Sequence, residues 1–360
     1  MWTRLLSIFL KRLIKQGRLV VAYPDGQSIA YGDGSTSAVT MRLHARSLPR
    51  KLLINPNLAL GEAYMDGTLT VDQDDIYGLI ELLVVNLTLQ PDLWHHRWLA
   101  HLRRLCRRLA QFNPAGRARR NVAHHYDLSG ELYDLFLGAD RQYSCAYFRE
   151  AGDTLETAQR NKKALIATKL LLAPEQRVLD IGCGWGGLGL HHEQHKIAEK
   201  RAQTEGLGDR AQFLLQDYRD IDGTFDRIVS VGMFEHVGVP HYKEFFAILR
   251  DHLTDDGVAL LHTIGRADGP GATNPWIANY IFPGGYSPAL SEVLAIAEQS
   301  GLYVTDVEVW RLHYAETLKE WRNRFEANLD RARSIYDEQF CRMWRFYLVA
   351  SEGAFRHNGP

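Results

Sequence analysis

At 360 residues, with 46% hydrophobic and 24% charged side chains, the chain has the balance of a globular protein long enough for two domains. A formal net charge of −1 excludes a global field that would draw the whole molecule onto nucleic acid. The cysteines, Cys106, Cys145, Cys183 and Cys341, lack paired spacing, which argues against a disulfide framework or a zinc site and for a reducing, cytoplasmic setting.

The N-terminus predicts a basic amphipathic helix. Trp2, Leu5, Leu6, Phe9 and Leu13 share one face, with Arg4, Lys11, Arg12 and Lys15 mostly elsewhere. Its apolar run is too short to span a bilayer and lacks a cleavage site. Such a helix packs on its own domain or lies on a membrane surface. Short strands broken by turns follow over residues 17–75, including 19–23, 39–43 and 68–71. Helical periodicity runs from about Asp75 to Phe112. Eight arginines between Arg97 and Arg120 form either a solvated face or a surface for anionic headgroups, each cation there contributing about 1 kcal/mol near a bilayer. The break at Asn113-Pro114-Ala115-Gly116 marks a linker. The expected division is an N-terminal lipid- and membrane-binding domain over 1–112, a linker over 113–120 and a catalytic domain over 121–360.

From Leu165 onward the pattern alternates. Strands are expected over 177–181, 225–231 and 257–264, and helices over 194–205 and 242–253. That alternation predicts a parallel, doubly wound α/β sheet beside the smaller α+β N-terminal domain.

The first of these strands runs into Asp180-Ile181-Gly182-Cys183-Gly184-Trp185-Gly186-Gly187. Glycines there permit a tight turn and close approach of backbone to a ligand, with a helix N-terminus next. The loop looks like the S-adenosylmethionine site of class I methyltransferases, opened by Asp180. Gln216 and Asp217 fall where a strand should run into a loop, suited to adenine contacts. His191, His192 and His195 have helical spacing, but no acidic or cysteine partner completes a metal set, so no metal is expected.

Ordered blocks then identify a family. They are His124-His125-Tyr126-Asp127-Leu128-Ser129, Tyr143-Ser144-Cys145-Ala146-Tyr147-Phe148, the glycine loop, Gln216-Asp217-Tyr218-Arg219, Met233-Phe234-Glu235-His236-Val237-Gly238, His262-Thr263-Ile264-Gly265, Phe282-Pro283-Gly284-Gly285 and His313-Tyr314-Ala315-Glu316-Thr317-Leu318. In this order the chain resembles the cyclopropane-fatty-acyl-phospholipid synthases and their mycolic acid cyclopropane synthase relatives. The resemblance implies transfer of the methyl group of S-adenosyl-L-methionine to the cis double bond of an unsaturated phospholipid acyl chain. A carbocation forms, and loss of a proton to bicarbonate closes the ring. It places bicarbonate against Cys145, Glu235, His262, the backbone of Ile264, and Tyr314. It places the cofactor against Tyr126, Ser144, Asp180, Gly182, Cys183, Gly184, Gly186, Gln216 and Asp217. It also implies a homodimer, held peripherally on the inner face of the membrane, with no nucleic-acid partner. A carbocation needs a dry pocket with aromatic faces, and aromatic residues are dense around 143–148, 280–286 and Tyr314. Products with a methyl branch or a methylene group, a small-molecule methyltransferase, and a lipid-binding relic of the fold are the alternatives.

One departure stands out. The glycine loop runs almost directly into the helix expected at Gln194. The rest of a first helix and a second strand, whose end normally holds the ribose hydroxyls, have no counterpart. The preferred explanation is a longer natural chain, which would also carry a final strand. A true deletion would weaken cofactor binding.

Overall fold

The computed structural model describes residues 1–89, 130–184 and 192–357. In chain order the elements are α1 (Trp2–Leu13), β1 (Arg18–Ala22), β2 (Ser28–Tyr31), β3 (Ala38–Leu43), α2 (Leu48–Ile54), α3 (Pro56–Met65), β4 (Leu69–Val71), α4 (Ile76–Thr88), α5 (Gly130–Phe136), α6 (Leu155–Lys169), β5 (Val178–Ile181), α7 (His192–Thr204), β6 (Phe225–Val231), α8 (Tyr242–His252), β7 (Leu253–His262), α9 (Leu290–Gln299), α10 (Arg311–Ala327), α11 (Leu329–Ile335) and α12 (Glu338–His357). They fall into two units.

Within the described residues the first unit comprises 1–89, 274–281 and 310–357. The last two stretches lie in the segment expected to be catalytic. Its sheet has the order β2-β1-β3-β4, antiparallel except for the parallel pair β1–β3. Alternation sets which face is buried: Leu19 and Val21 are fully enclosed, and Arg18, Val20 and Ala22 are not. Asp75 caps α4 by accepting from the Gly78 N–H at 2.8 Å. Helix α12 packs on α10, α4 and α3. Arg345 on α12, 7% exposed, donates to the Tyr64 hydroxyl at 2.9 Å and pairs with Glu326 and Asp74. Gly61 on α3 must be glycine, because a Cβ there would sit 2.4 Å from the Trp276 indole nitrogen. No described helix is long and apolar enough to cross a membrane.

Helix α1 differs from its expected amphipathic face. Leu6, Leu10 and Leu13 are buried, whereas Trp2, Leu5 and Ile8 are exposed. The i, i+4, i+7 stripe that meets the domain, Leu6, Leu10 and Leu13, shares Leu6 and Leu13 with the expected face and is turned about half a residue step from it.

The second unit holds the parallel sheet β5-β6-β7. The expected strands are all present, and β7 starts earlier than expected, at Leu253. Leu179, Ile181 and Ile228 pack with Phe234, Tyr242, Phe245 and Leu249 in one apolar cluster. That cluster seats α8 against the sheet and fixes the turn after β6. Helix α7 begins at His192, directly beyond the glycine loop, and among the described residues the sheet has three strands. The basic stretch between Arg97 and Arg120 and the linker lie outside the described residues.

Candidate active site

β5 delivers Asp180 and the glycine loop. Gly182 has φ +80° and Gly184 φ +57°, the left-handed region where a Cβ is strained. A side chain at Gly182 would also meet Met233 at 2.6 Å, whereas Gly184 faces open space. The Oδ1 atom of Asp180 is buried with no partner among the described residues. Burial pushes this carboxyl up to about 7, opposed by the Lys162 ammonium. The Cys183 thiol is raised by burial and by the Asp180 charge, so it stays a neutral thiol.

Asp217 is buried and fully engaged. Both carboxylate oxygens accept from Arg219, at 2.8 and 2.7 Å, and Oδ1 also takes the Arg219 backbone N–H at 3.1 Å. Contrary to expectation, no strand leads into Gln216-Asp217; Asp217 caps a single 3-10 turn, Tyr218–Asp220. Gln216 beside it is half-buried.

The ends of β6 and β7 bring Glu235, His262 and Ile264 together. Glu235, 2% exposed, sits on the 3-10 turn Phe234–His236. Its Oε1 accepts from the Ile264 backbone N–H at 2.5 Å, and its carbonyl accepts from the Tyr286 N–H at 2.9 Å. Oε2 is buried with no partner among the described residues. Burial raises its pKa, against the lowering effect of the Ile264 N–H. His262 closes β7, opposite Val231, and its carbonyl accepts from Gly232 at 2.9 Å. Burial and then the Lys162 charge push its imidazole down to about 4. The ring is therefore neutral at physiological pH and can act as donor on one side and acceptor on the other.

Ser144 and Cys145 lie on the stretch between α5 and α6. Cys145 is buried, with Sγ 3.3 Å from the Ala146 carbonyl. Tyr143 meets Tyr133 and Phe136 edge-on at 5.5 and 6.0 Å. Tyr314 belongs to α10 in the first unit, where it is buried with its ring 4.7 Å from Phe355. Tyr126 and Gly186 lie outside the described residues.

Lys162 went unnoticed in the sequence. It is 1% exposed and donates from Nζ to Gln142 Oε1 at 2.9 Å and to Ser144 Oγ at 2.7 Å. The signal was there: Leu155, Ala158, Gln159 and Lys162 form the buried i, i+3, i+4, i+7 stripe of α6, and polar residues in such a stripe need partners.

An adenosylmethionine molecule suits this arrangement. The loop after β5 is open at Gly184, and the orphaned Asp180 oxygen can accept from a donor on a ligand. Chemically, the ends of β6 and β7 bring a buried acid and a neutral imidazole to one place, with the Ile264 amide engaged by the acid, a pair able to meet a small anion and pass a proton.

The family model described as mycolic acid cyclopropane synthetase matches residues 114–359, and a domain of unknown function matches residues 5–88. The cyclopropane-fatty-acyl-phospholipid synthase of Escherichia coli K12 is 40% identical over 322 aligned positions, covering 85% of this chain and 82% of that protein. Those positions outnumber the residues of this chain that they cover, so part of the relative faces a gap here. A tuberculostearic acid methyltransferase of Mycobacterium tuberculosis is 33% identical, over 96% of this chain and 87% of its own. Among solved structures, the mycolic acid cyclopropane synthase CmaA1 complexed with SAH and CTAB superposes with a TM-score of 0.61 at 32% identity, covering 69% of this chain and 95% of that one. The parallel sheet, with the glycine loop after its first strand, is thus the Rossmann-like core of an S-adenosylmethionine-dependent methyltransferase.

Proposed function

This chain belongs to the mycolic acid cyclopropane synthetase family, and we propose that it makes cyclopropane rings on the cis double bonds of phospholipid acyl chains. The observation that carries this reading is the Glu235–Ile264 contact beside a neutral His262. When bound, adenosylmethionine supplies an electrophilic methyl group. The alkene π pair would bond to that methyl carbon as its bond to the sulfonium sulfur breaks, the electron pair leaving with S-adenosylhomocysteine, and a cation would remain on the neighbouring chain carbon. A C–H bond of the new methyl group then breaks. Its electron pair closes the ring, and the proton leaves to a base.

Bicarbonate is the base in this reading, held by Cys145, Glu235, His262 and the Ile264 backbone; the family resemblance alone adds Tyr314. Glu235 orients Ile264 and keeps a proton close by; neutral His262 donates to the anion without quenching its basicity. Ser144, Asp180, Gly182, Cys183, Gly184, Gln216 and Asp217, with Tyr126 and Gly186, hold the cofactor. Asp217 would act through its backbone, since Arg219 occupies its carboxylate. The family likeness to a phospholipid-acting enzyme, together with exposed Trp2, Leu5 and Ile8 beside Arg4, Lys11 and Arg12 on α1, supports peripheral attachment to the inner face of a membrane through this helix. The active form is a cytoplasmic homodimer that engages lipid and no nucleic acid.

The likeness over 96% of the chain to a tuberculostearic acid methyltransferase favours a second reading, in which the same cation ends as a methyl branch or methylene group. Incubation with adenosylmethionine, bicarbonate and vesicles of unsaturated phosphatidylethanolamine, followed by mass spectrometry of the acyl chains, separates the two. A gain of CH2 with loss of the alkene by olefin-specific derivatisation is expected. A gain of CH2 with a retained alkene, or a gain of CH4 with the alkene lost by hydrogenation, moves the assignment to the second reading, and no gain overturns both.

A further inference from the structure

An ammonium group inside a protein is unfavourable unless its donors are satisfied, and an apolar residue of the same size generally packs there more favourably. Lys162 nonetheless stands in the buried stripe of α6. Among the described residues its hydrogen bonds go only to neutral oxygens, Gln142 Oε1 and Ser144 Oγ. One turn earlier on the same helix, Gln159 Nε2 donates to the Ser144 carbonyl at 3.0 Å. Ser144 is therefore held at both its backbone and its hydroxyl by two residues three apart on one rigid helix. Its neighbour Cys145 is fixed with it.

The charges around Lys162 place it at the site. Cys145, Asp140 and Asp180 favour its protonated form, Lys163 opposes it, and its own charge suppresses protonation of His262. Burial brings its pKa down to about 7, so an anion arriving nearby strengthens the ammonium form.

We propose that Lys162 is a positioning residue for the methyl-transfer site, clamping the Gln142–Cys145 stretch so that Ser144 faces the cofactor and Cys145 faces the anionic base. This rests on the cyclopropanation reading for the anion, but the cofactor half can be tested apart from it.

The test compares the full-length parent with Lys162→Met, Ser144→Ala and the double variant. S-adenosylhomocysteine affinity is measured by calorimetry, and acyl-chain turnover by mass spectrometry. Lys162→Met should weaken S-adenosylhomocysteine binding about tenfold and slow turnover about a hundredfold, the scale of misplacing a reacting group by about an ångström. Ser144→Ala added to it should cost less than about threefold more, because both changes break one link. Affinity and turnover within about threefold of the parent, or fully multiplicative effects, would overturn the proposal. A merely structural lysine would lower the melting temperature and leave the affinity of the folded protein unchanged, which also overturns it. If Lys162→Met does not fold, Gln142→Leu removes one acceptor and keeps the lysine. A loss of affinity of about three- to tenfold is then expected, and unchanged affinity counts against the clamp. Should the parent fail to alkylate any acyl chain, the cyclopropanation reading falls, while the binding arm still decides the role of Lys162.

Discussion

The backbone N–H of Ile264 donates to Oε1 of Glu235 at 2.5 Å, tying the end of β7 to the turn that follows β6. Glu235→Gln keeps an acceptor for this bond and removes an acid that burial makes reluctant to ionise. Because its folded pKa is raised, the group contributes stability below its unfolded value, and that contribution is lost as pH rises. Glu235→Gln should therefore be at least as stable as the parent at pH 8, with the difference vanishing toward pH 4. Turnover should drop about a hundredfold. Urea melts at the two pH values check the first part. A clearly less stable variant at pH 8 would mean that the carboxylate is ionised and paired.

His262 gives the opposite sign. Its folded pKa of about 4 lies below the ordinary 6.5, so the unfolded chain binds the extra proton first. The contribution is fully present above 6.5 and is lost as pH falls through that value toward 4, by up to about 3 kcal/mol. His262→Gln should flatten the stability profile between pH 6.5 and 4. A variant with the parent's slope would assign the acid sensitivity elsewhere.

At Gly182 two costs combine. The backbone is left-handed, and a Cβ would lie 2.6 Å from Met233. Gly182→Ala should lose about 2–4 kcal/mol of stability and weaken S-adenosylhomocysteine binding by at least about tenfold. Gly184→Ala, which meets no atom within 4 Å, should lose about 1 kcal/mol from its φ alone. Equal effects at the two glycines would contradict this.

Membrane attachment through α1 predicts that the double variant Leu5→Glu/Ile8→Glu keeps its melting temperature within a few degrees, since both side chains are exposed. Its partition onto phosphatidylglycerol vesicles should fall about tenfold or more, as two apolar contacts are lost and two like charges gained. Unchanged sedimentation with vesicles would remove α1 from the membrane contact.

Much of the second unit was legible because its signals are local. Short runs rich in branched apolar residues, alternating with helix-like segments, marked β5, β6 and β7, and the glycine loop lay between a strand and a helix where backbone geometry demands it. The pairing of Glu235 with the amide of Ile264 was not legible, since it depends on register across a parallel sheet, nor was the engagement of Asp217 by Arg219 two residues on. Lys162 escaped notice because a lysine between Asn161 and Lys163 resembles a solvated face; only its alignment with Leu155, Ala158 and Gln159 betrays it. At α1 the expected face ran through Trp2, Leu5, Leu6, Phe9 and Leu13; the domain seats Leu6 and Leu13 of these, together with Leu10, and leaves Trp2 and Leu5 exposed.

The first unit is assembled from stretches far apart in the chain. Helix α4 ends at Thr88, yet the helix it packs against, α12, begins at Glu338. During synthesis the N-terminal sheet emerges early and then waits through some 250 further residues for the helix that covers α4, longer than ten seconds at ordinary elongation rates of about 5–20 residues per second. Throughout that interval the side of α4 that meets α12 lacks that partner helix. Yield in cells should thus respond to holdase chaperones and to slowed translation late in the message, quite apart from any change in the stability of the finished protein.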